Sequence, residues 1–222
     1  MSSYDLLAHV YEQSIDCVMY EPYIDVLKAY KGTKTFLEVG CGTAYLSRVA
    51  TRVGYQVTAV DVNDAMLDAA SFYAGNEGLD IAFYKHDMRQ RFKGKYGIVC
   101  MPVDVVNHML NVHDLTQLFE SAAEVLEPQG VLVFDYLHKA YMTSLMGYKE
   151  VLKLDGASYT WSVQQVSDSM CIQHTIESET DKATHQECYY EEQVLLEKAK
   201  AFVLEEKVVL KDRTILCLRK EK

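Results

Sequence analysis

The chain has little that would carry it into or across a membrane. Its longest apolar stretches, such as Gly130 to Tyr136, fall well short of the roughly 20 residues that a spanning helix needs. The acid Asp5 stands too early for the apolar segment of a secretory signal, so a cytoplasmic protein is expected, with no membrane partner. The six cysteines, Cys17, Cys41, Cys100, Cys171, Cys188 and Cys217, include no C-x-x-C pair. That spacing argues against a bridge framework or zinc cluster, and reduced thiols are expected. Positive charge is also short: 22 Lys and Arg stand against 32 Asp and Glu, a formal net charge of −10. Nucleic-acid affinity rests heavily on cations that neutralise phosphates, so no nucleic-acid partner is expected. What the chain does have is 49% hydrophobic and 24% charged residues over 222 positions, enough for one cored domain with an appendage.

After two amphipathic stretches, Leu6 to Glu12 and Pro22 to Tyr30, short apolar runs alternate with longer helical periods, as parallel strands joined by helices do. The strand candidates are Thr35 to Val39, Gln56 to Asp61, Ile81 to Lys85, Gly97 to Met101 and Val131 to Tyr136. Their β-branched and aromatic content suits a sheet covered on both faces. Val62, Ala65, Met66, Ala69, Ala70 and Tyr73 form one helical stripe behind an Asn63 cap; Leu115, Leu118, Phe119, Ala122 and Leu126 form another, stopped by Pro128 and Gly130. These five βα units show no internal repeat.

From about Tyr148 the period changes from helical to alternating. Tyr159, Trp161 and Val163 share one face, as do Ile172, His174 and Ile176. With turns at Ser167 to Ser169 and Thr180 to Ala183, residues 158–190 read as an antiparallel meander. A short helix, Glu191 to Lys200, and two strands, Phe202 to Leu210 and Thr214 to Arg219, then close the sheet. The expected fold is therefore α/β: a Rossmann-like, doubly wound, mostly parallel seven-stranded sheet with a β-meander inserted after strand five. Residues 1–147 form the core, 148–190 the insertion and 191–222 the return to the core.

The first strand runs into Glu38-Val39-Gly40-Cys41-Gly42-Thr43 and then a helix, a turn that brings a ligand close to bare backbone and free amides. Asp61 ends the second strand 19 residues after Gly42, where a carboxylate accepts ribose hydroxyls. Together these features mark a nucleoside cofactor. A dinucleotide loop usually places Gly or Ala where Tyr45 stands, and Glu38 would repel a diphosphate while attracting an α-amino group. S-adenosylmethionine supplies an ammonium and a sulfonium without phosphate.

Leu-Glu-Val-Gly-Cys-Gly-Thr followed by Val-Thr-Ala-Val-Asp resembles the first two motifs of the class I S-adenosylmethionine-dependent methyltransferases. Tyr4-Asp5 with Tyr11-Glu12, His86-Asp87-Met88-Arg89, and the Cys100, Asp104, Asn107 run are similar to motifs of its small-molecule branch, covering residues 1–137. The resemblance implies methyl transfer to a small-molecule substrate. By position it implies that Gly40, Cys41 and Gly42 pass under the methionine part, Asp61 holds the ribose, Val62 and Met66 flank the adenine, and Asp87 receives its amino group beside Met88. Tyr4 and Tyr11 would close over the cofactor, with Glu38 and Met101 completing the site. Ala44 and Val62 depart from the family's usual glycine and serine. S-adenosylhomocysteine would be the product.

No catalytic residue is singled out, because displacement at a sulfonium needs mainly positioning and desolvation. Asp104, His108, His113 and His138 stand near the carboxyl ends of strands four and five, where a base would serve a protonated acceptor. The pairs Cys171-x-x-His174 and His185-x-x-Cys188 resemble metal ligands, but residues three apart on a strand point to opposite faces, so no metal is expected from them. The insertion emerges at the ligand edge and reads as a lid; pairing with a second copy as a homodimer is the rival reading. An S-adenosylmethionine-binding module without catalysis and a nicotinamide-dependent oxidoreductase are the alternative functions. Met101-Pro102-Val103-Asp104 stands where an Asn-Pro-Pro-Tyr motif would mark an enzyme for DNA-base amines.

Overall fold

Alternating faces explain the central sheet from its first strand. In β1 (Thr35–Val39), Phe36 packs with Tyr23, Leu27, Leu46 and Ala50 on one side, while Leu37 and Val39 join Leu115, Leu118 and Phe119 on the other. A strand whose two sides are both apolar must be covered on both. These contacts belong to the computed structural model of the protein, which describes residue 8 and residues 17–154, 157–166 and 170–221.

The parallel strands are β1, β2 (Gln56–Asp61), β3 (Ile81–Lys85), β4 (Tyr96–Met101) and β5 (Leu126–Leu137). Two late strands, β10 (Phe202–Val209) and β11 (Arg213–Lys220), complete a seven-stranded sheet in the order β10-β11-β5-β4-β1-β2-β3. β11 runs antiparallel to both β5 and β10. The helices are α1 (Glu21–Ala29), α2 (Tyr45–Arg52), α3 (Asp64–Asn76) and α4 (Val112–Val125), followed by α5 (Lys139–Leu145) and α6 (Glu192–Lys198). Burial of Leu115, Leu118 and Phe119 anchors α4, each side chain being worth about 1.5–3 kcal/mol. Asn63 caps α3, its Oδ1 accepting from the Met66 amide at 2.9 Å.

β1, β2 and β3 have the expected bounds, but β5 is longer than expected. Its lead-in from Leu126 contains Pro128 and a left-handed Gln129, and the pairing with β4 shifts register between Tyr96 and Ile98. Proline ends helix α4 as expected but sits in a bulged strand start, where its missing N–H costs nothing.

The insertion has four strands, β6 (Lys149–Leu154), β7 (Ala157–Val166), β8 (Cys171–Glu177) and β9 (Lys182–Cys188), forming a separate antiparallel sheet in that order. The paired strands therefore begin at Lys149, within the expected insertion of 148–190 but earlier than the meander expected from 158. The turn after β8 spans residues 178–181 and is closed by the Ser178 and Asp181 hydrogen bonds; the expected turn at Ser167 to Ser169 lies outside the described residues. Register places His174 opposite His185 and Cys171 opposite Cys188. The latter two are joined as a disulfide, which corrects the expectation of reduced thiols at these positions. A cross-strand pair of this kind needs no C-x-x-C spacing.

Candidate active site

The carboxyl ends of β1, β2 and β4 meet the inserted sheet around one cavity of about 490 Å³. Gly40, with φ +67°, turns the chain at the end of β1; a Cβ there would stand 2.7 Å from Val105 Cγ2. Gly42 donates its amide to Asp61 Oδ2 at 2.8 Å, and Asn63 donates to Oδ1 at 2.9 Å. Asp61, the expected ribose acid, is thus also the clasp of the glycine loop. Burial pushes its carboxyl up, opposed by those amides.

Gly40, Gly42, Asp61, Val62, Met66, Asp87 and Met88 all line this cavity. Cys41 and Met101 are buried behind the wall, with exposures of 6% and 0%. Glu38 lies under the loop at 1% exposure and accepts a hydrogen bond from the Ser47 hydroxyl; burial pushes it up to about 8 despite that bond. Asp87 holds the Arg89 guanidinium, with Nε 2.9 Å from Oδ1, and this bond keeps its carboxyl below the usual range. Tyr4 and Tyr11 lie outside the described residues.

A second set of groups faces the cavity from above the loop. Asp104 and His108 come from the 3₁₀ turn after β4, and Thr184, His185, Gln186 and Glu187 come from β9. His113 is exposed on α4, and His138 bonds Thr214 Oγ1 at 2.8 Å, so neither joins the wall.

The Asp104 turn is held against its own backbone preference. Val103 and Asp104 are consecutive left-handed residues, with φ of +56° and +58°. Such conformations cost about 1–3 kcal/mol each and persist where their surroundings fix them. Here the Val103 amide donates to the Tyr23 hydroxyl at 3.2 Å, and the Asp104 amide donates to both Asp135 oxygens at 3.1 Å. Arg213 Nη1 binds Asp135 at 2.8 Å and Asp104 at 3.0 Å, while its Nε binds Asp212 at 2.9 Å. Burial, then Glu187, push Asp104 up to about 6 against the pull of Arg213.

Asn107, fully buried, donates from Nδ2 to the Cys188 carbonyl at 2.9 Å and accepts from the Leu137 amide at 3.1 Å. It ties the end of β5 to the end of β9. Glu187, in β9, faces His174 Nε2 at 3.3 Å and His185 Nε2 at 3.5 Å. Burial raises its carboxyl, but these imidazoles and nearby His108 more than offset that and hold it well below the usual range. His185 is held below the ordinary histidine value, chiefly by burial. The alternation of β9 gave a signal for His185 and Glu187, since residues two apart share a face. Their partner His174 required the register.

Residues 36–130 match a family model described as a methyltransferase domain. A putative methyltransferase of Geobacillus is 26% identical over 208 residues, spanning 85% of this chain and 83% of the relative. The domain match and such relatives support a likeness of this chain to the class I S-adenosylmethionine-dependent methyltransferases. S-adenosylmethionine is the cofactor that this likeness supports. The likeness in fold extends to the insertion: an S-adenosylmethionine-dependent methyltransferase from Clostridium acetobutylicum superposes with a TM-score of 0.83 at 19% identity, over 99% of both chains. The amino pentose methyltransferase of Micromonospora echinaspora, solved with S-adenosylmethionine bound, gives a TM-score of 0.71 at 15% identity over 97% of this chain and 96% of the other. The loop, Asp61 and the cavity fit such a cofactor, since Gly40 carries no side chain and the cavity wall is acidic toward a cationic ligand.

Proposed function

We propose that the protein transfers the methyl group of S-adenosylmethionine to a small molecule bound between the glycine loop and the inserted sheet, leaving S-adenosylhomocysteine. The observation that carries this reading is the shared cavity: the glycine loop and Asp61 form one wall, and Thr184 to Glu187 form the facing one. A cavity of about 490 Å³ suits a cofactor with a small partner rather than a polymer. The acidic balance of the chain points the same way.

Asp61 holds the ribose hydroxyls, Val62 and Met66 flank the adenine, and Met88 with Asp87 borders its amino edge. When bound, S-adenosylmethionine supplies an electrophilic methyl on a good leaving group. The protein's own part is to align the acceptor with that methyl and exclude water. The inserted sheet is the lid that does so.

Calorimetry with S-adenosylmethionine and NAD, followed by mass spectrometry for S-adenosylhomocysteine in the presence of a metabolite extract, tests the reading. Binding of S-adenosylmethionine with product formation is expected. Binding without product leaves a cofactor-binding module, and preference for NAD defeats the assignment.

A further inference from the structure

We propose that the methyl acceptor is an amine, received as its ammonium between the carboxylates of Asp104 and Glu187 and relieved of a proton by Nε2 of His108. This rests on the reading of the chain as a methyltransferase whose acceptor lies under the inserted sheet. One oxygen or ring nitrogen from each of Asp104, His108 and Glu187 lies within 4.8 Å of the other two, and all three residues line the cavity.

The tautomers follow from the partners. His108 Nδ1 lies 3.2 Å from the Gln186 carbonyl, which can only accept, so Nδ1 carries the proton. A neutral His108 then keeps its lone pair on Nε2. Trp161 Nε1 donates to His174 Nδ1 at 3.2 Å, so a neutral His174 carries its proton on Nε2, toward Glu187. The chain from Trp161 through His174 holds Glu187 as an oriented carboxylate. It also withholds His174 Nε2 from a metal ion, because that nitrogen has no free lone pair.

The sign of the charge selects nitrogen. A hydroxyl acceptor builds negative charge on oxygen as it loses its proton, and Asp104 and Glu187 would oppose this. An ammonium is attracted by the same pair. It must lose one proton before attack, and His108, which lines the same cavity with its Nδ1 engaged by the Gln186 carbonyl, takes it on Nε2. The amine lone pair then forms the N–C bond, the methyl–sulfur bond breaks with its electron pair going to sulfur, and the proton leaves from His108 to solvent. Asp104 does not yield its place, since Arg213, Asp135 and Tyr23 fix the turn that carries it.

Trideuteromethyl S-adenosylmethionine incubated with a metabolite extract, before and after treatment with an amine-selective acylating ester, tests the proposal. Labelled products with the label on nitrogen, lost from the acylated extract, are expected. Label on oxygen, sulfur or carbon overturns the proposal while leaving the methyltransferase reading intact. No labelled product despite cofactor binding in calorimetry overturns both. With the labelled acceptor in hand, His108→Gln should lower turnover by about 100-fold or more while S-adenosylmethionine affinity stays within about threefold. Asp104→Asn should raise the KM for the amine more than it lowers kcat. Undiminished turnover in His108→Gln removes the base. Should Asp104→Asn fail to fold, His108→Gln carries the test. Loss of activity with a chelator, restored by Mg2+, Mn2+ or Zn2+ and with Co2+ uptake lost in His108→Gln, would show a metal site instead and overturn the proposal.

Discussion

Replacing Arg213 with methionine should destabilise the protein in a manner that depends on pH. The guanidinium, 5% exposed, binds Asp135, Asp104 and Asp212, and Asp135 is wholly buried. Removing one partner of such a buried pair costs about 3–5 kcal/mol, because the remaining charge has nothing to meet. For a chain of this size each kcal/mol is worth about 2–4 °C, so the melting temperature should fall by about 6–20 °C at pH 8. The carboxyls of Asp104 and Asp135 already lie above the ordinary Asp value, Asp104 at about 6, with burial as the first cause and Arg213 pulling against it. Without Arg213 both rise further. A group whose folded pKa is raised stabilises the fold below its unfolded pKa, and that contribution is lost as pH rises through the folded value. The deficit of Arg213→Met should therefore be smallest near pH 4–5 and grow toward pH 8, by up to about 1.4 kcal/mol per pH unit for each titrating carboxyl. Urea unfolding of both proteins at pH 5, 6.5 and 8 measures it. An equal deficit at all three values, or one below about 1 kcal/mol at pH 8, would refute the reasoning.

Asp61→Ala should weaken S-adenosylmethionine binding by calorimetry, each lost hydrogen bond to the carboxylate being worth about 1.5–3 kcal/mol. It should also lower the melting temperature, because the Gly42 and Asn63 amides lose their acceptor; unchanged affinity in a folded variant would remove the ribose assignment. Gly40→Ala places a methyl 2.7 Å from Val105 at a left-handed backbone position, so cofactor affinity should fall and Val105→Ala should restore part of it. Asn107→Ala should cost about 2 kcal/mol in urea unfolding, since two buried backbone groups lose their partner. Thiol titration of the unfolded, unreduced protein should find four reactive cysteines, Cys17, Cys41, Cys100 and Cys217, rising to six after reduction.

The sequence carried the glycine-loop half of the cavity because that half is local. Gly42, in the turn after β1, and Asp61, at the end of the adjacent parallel strand β2, are 19 residues apart, and the turn chemistry that places them is written in the glycines. The half of the cavity built by Asp104 and the inserted sheet depends on distant partners. Asp135 and Arg213 are 78 residues apart, and no periodicity pairs them until β11 docks on β5. His174 and His185 meet through a register set by the length of the turn after β8. Strand β6 escaped notice because Lys149, Glu150 and Lys153 break the apolar alternation, as charges commonly do on an edge strand. The cysteine pair escaped because a cross-strand bridge leaves no spacing to read.

The single amide of Asn107 holds the segment that leaves the core after β5 and the segment that returns after β9. The four-stranded sheet is thus a detour whose two ends are clasped at one point, while Gly40 and Gly42, in the turn after β1, and Asp61, at the end of β2, belong to a part of the chain that the detour does not interrupt. Changes to the cavity-lining side chains of β9 should therefore reshape the wall that faces the glycine loop more than the loop and Asp61 themselves. Grafting that sheet between proteins that share the clasp should exchange what is methylated and leave the methyl donor as it was.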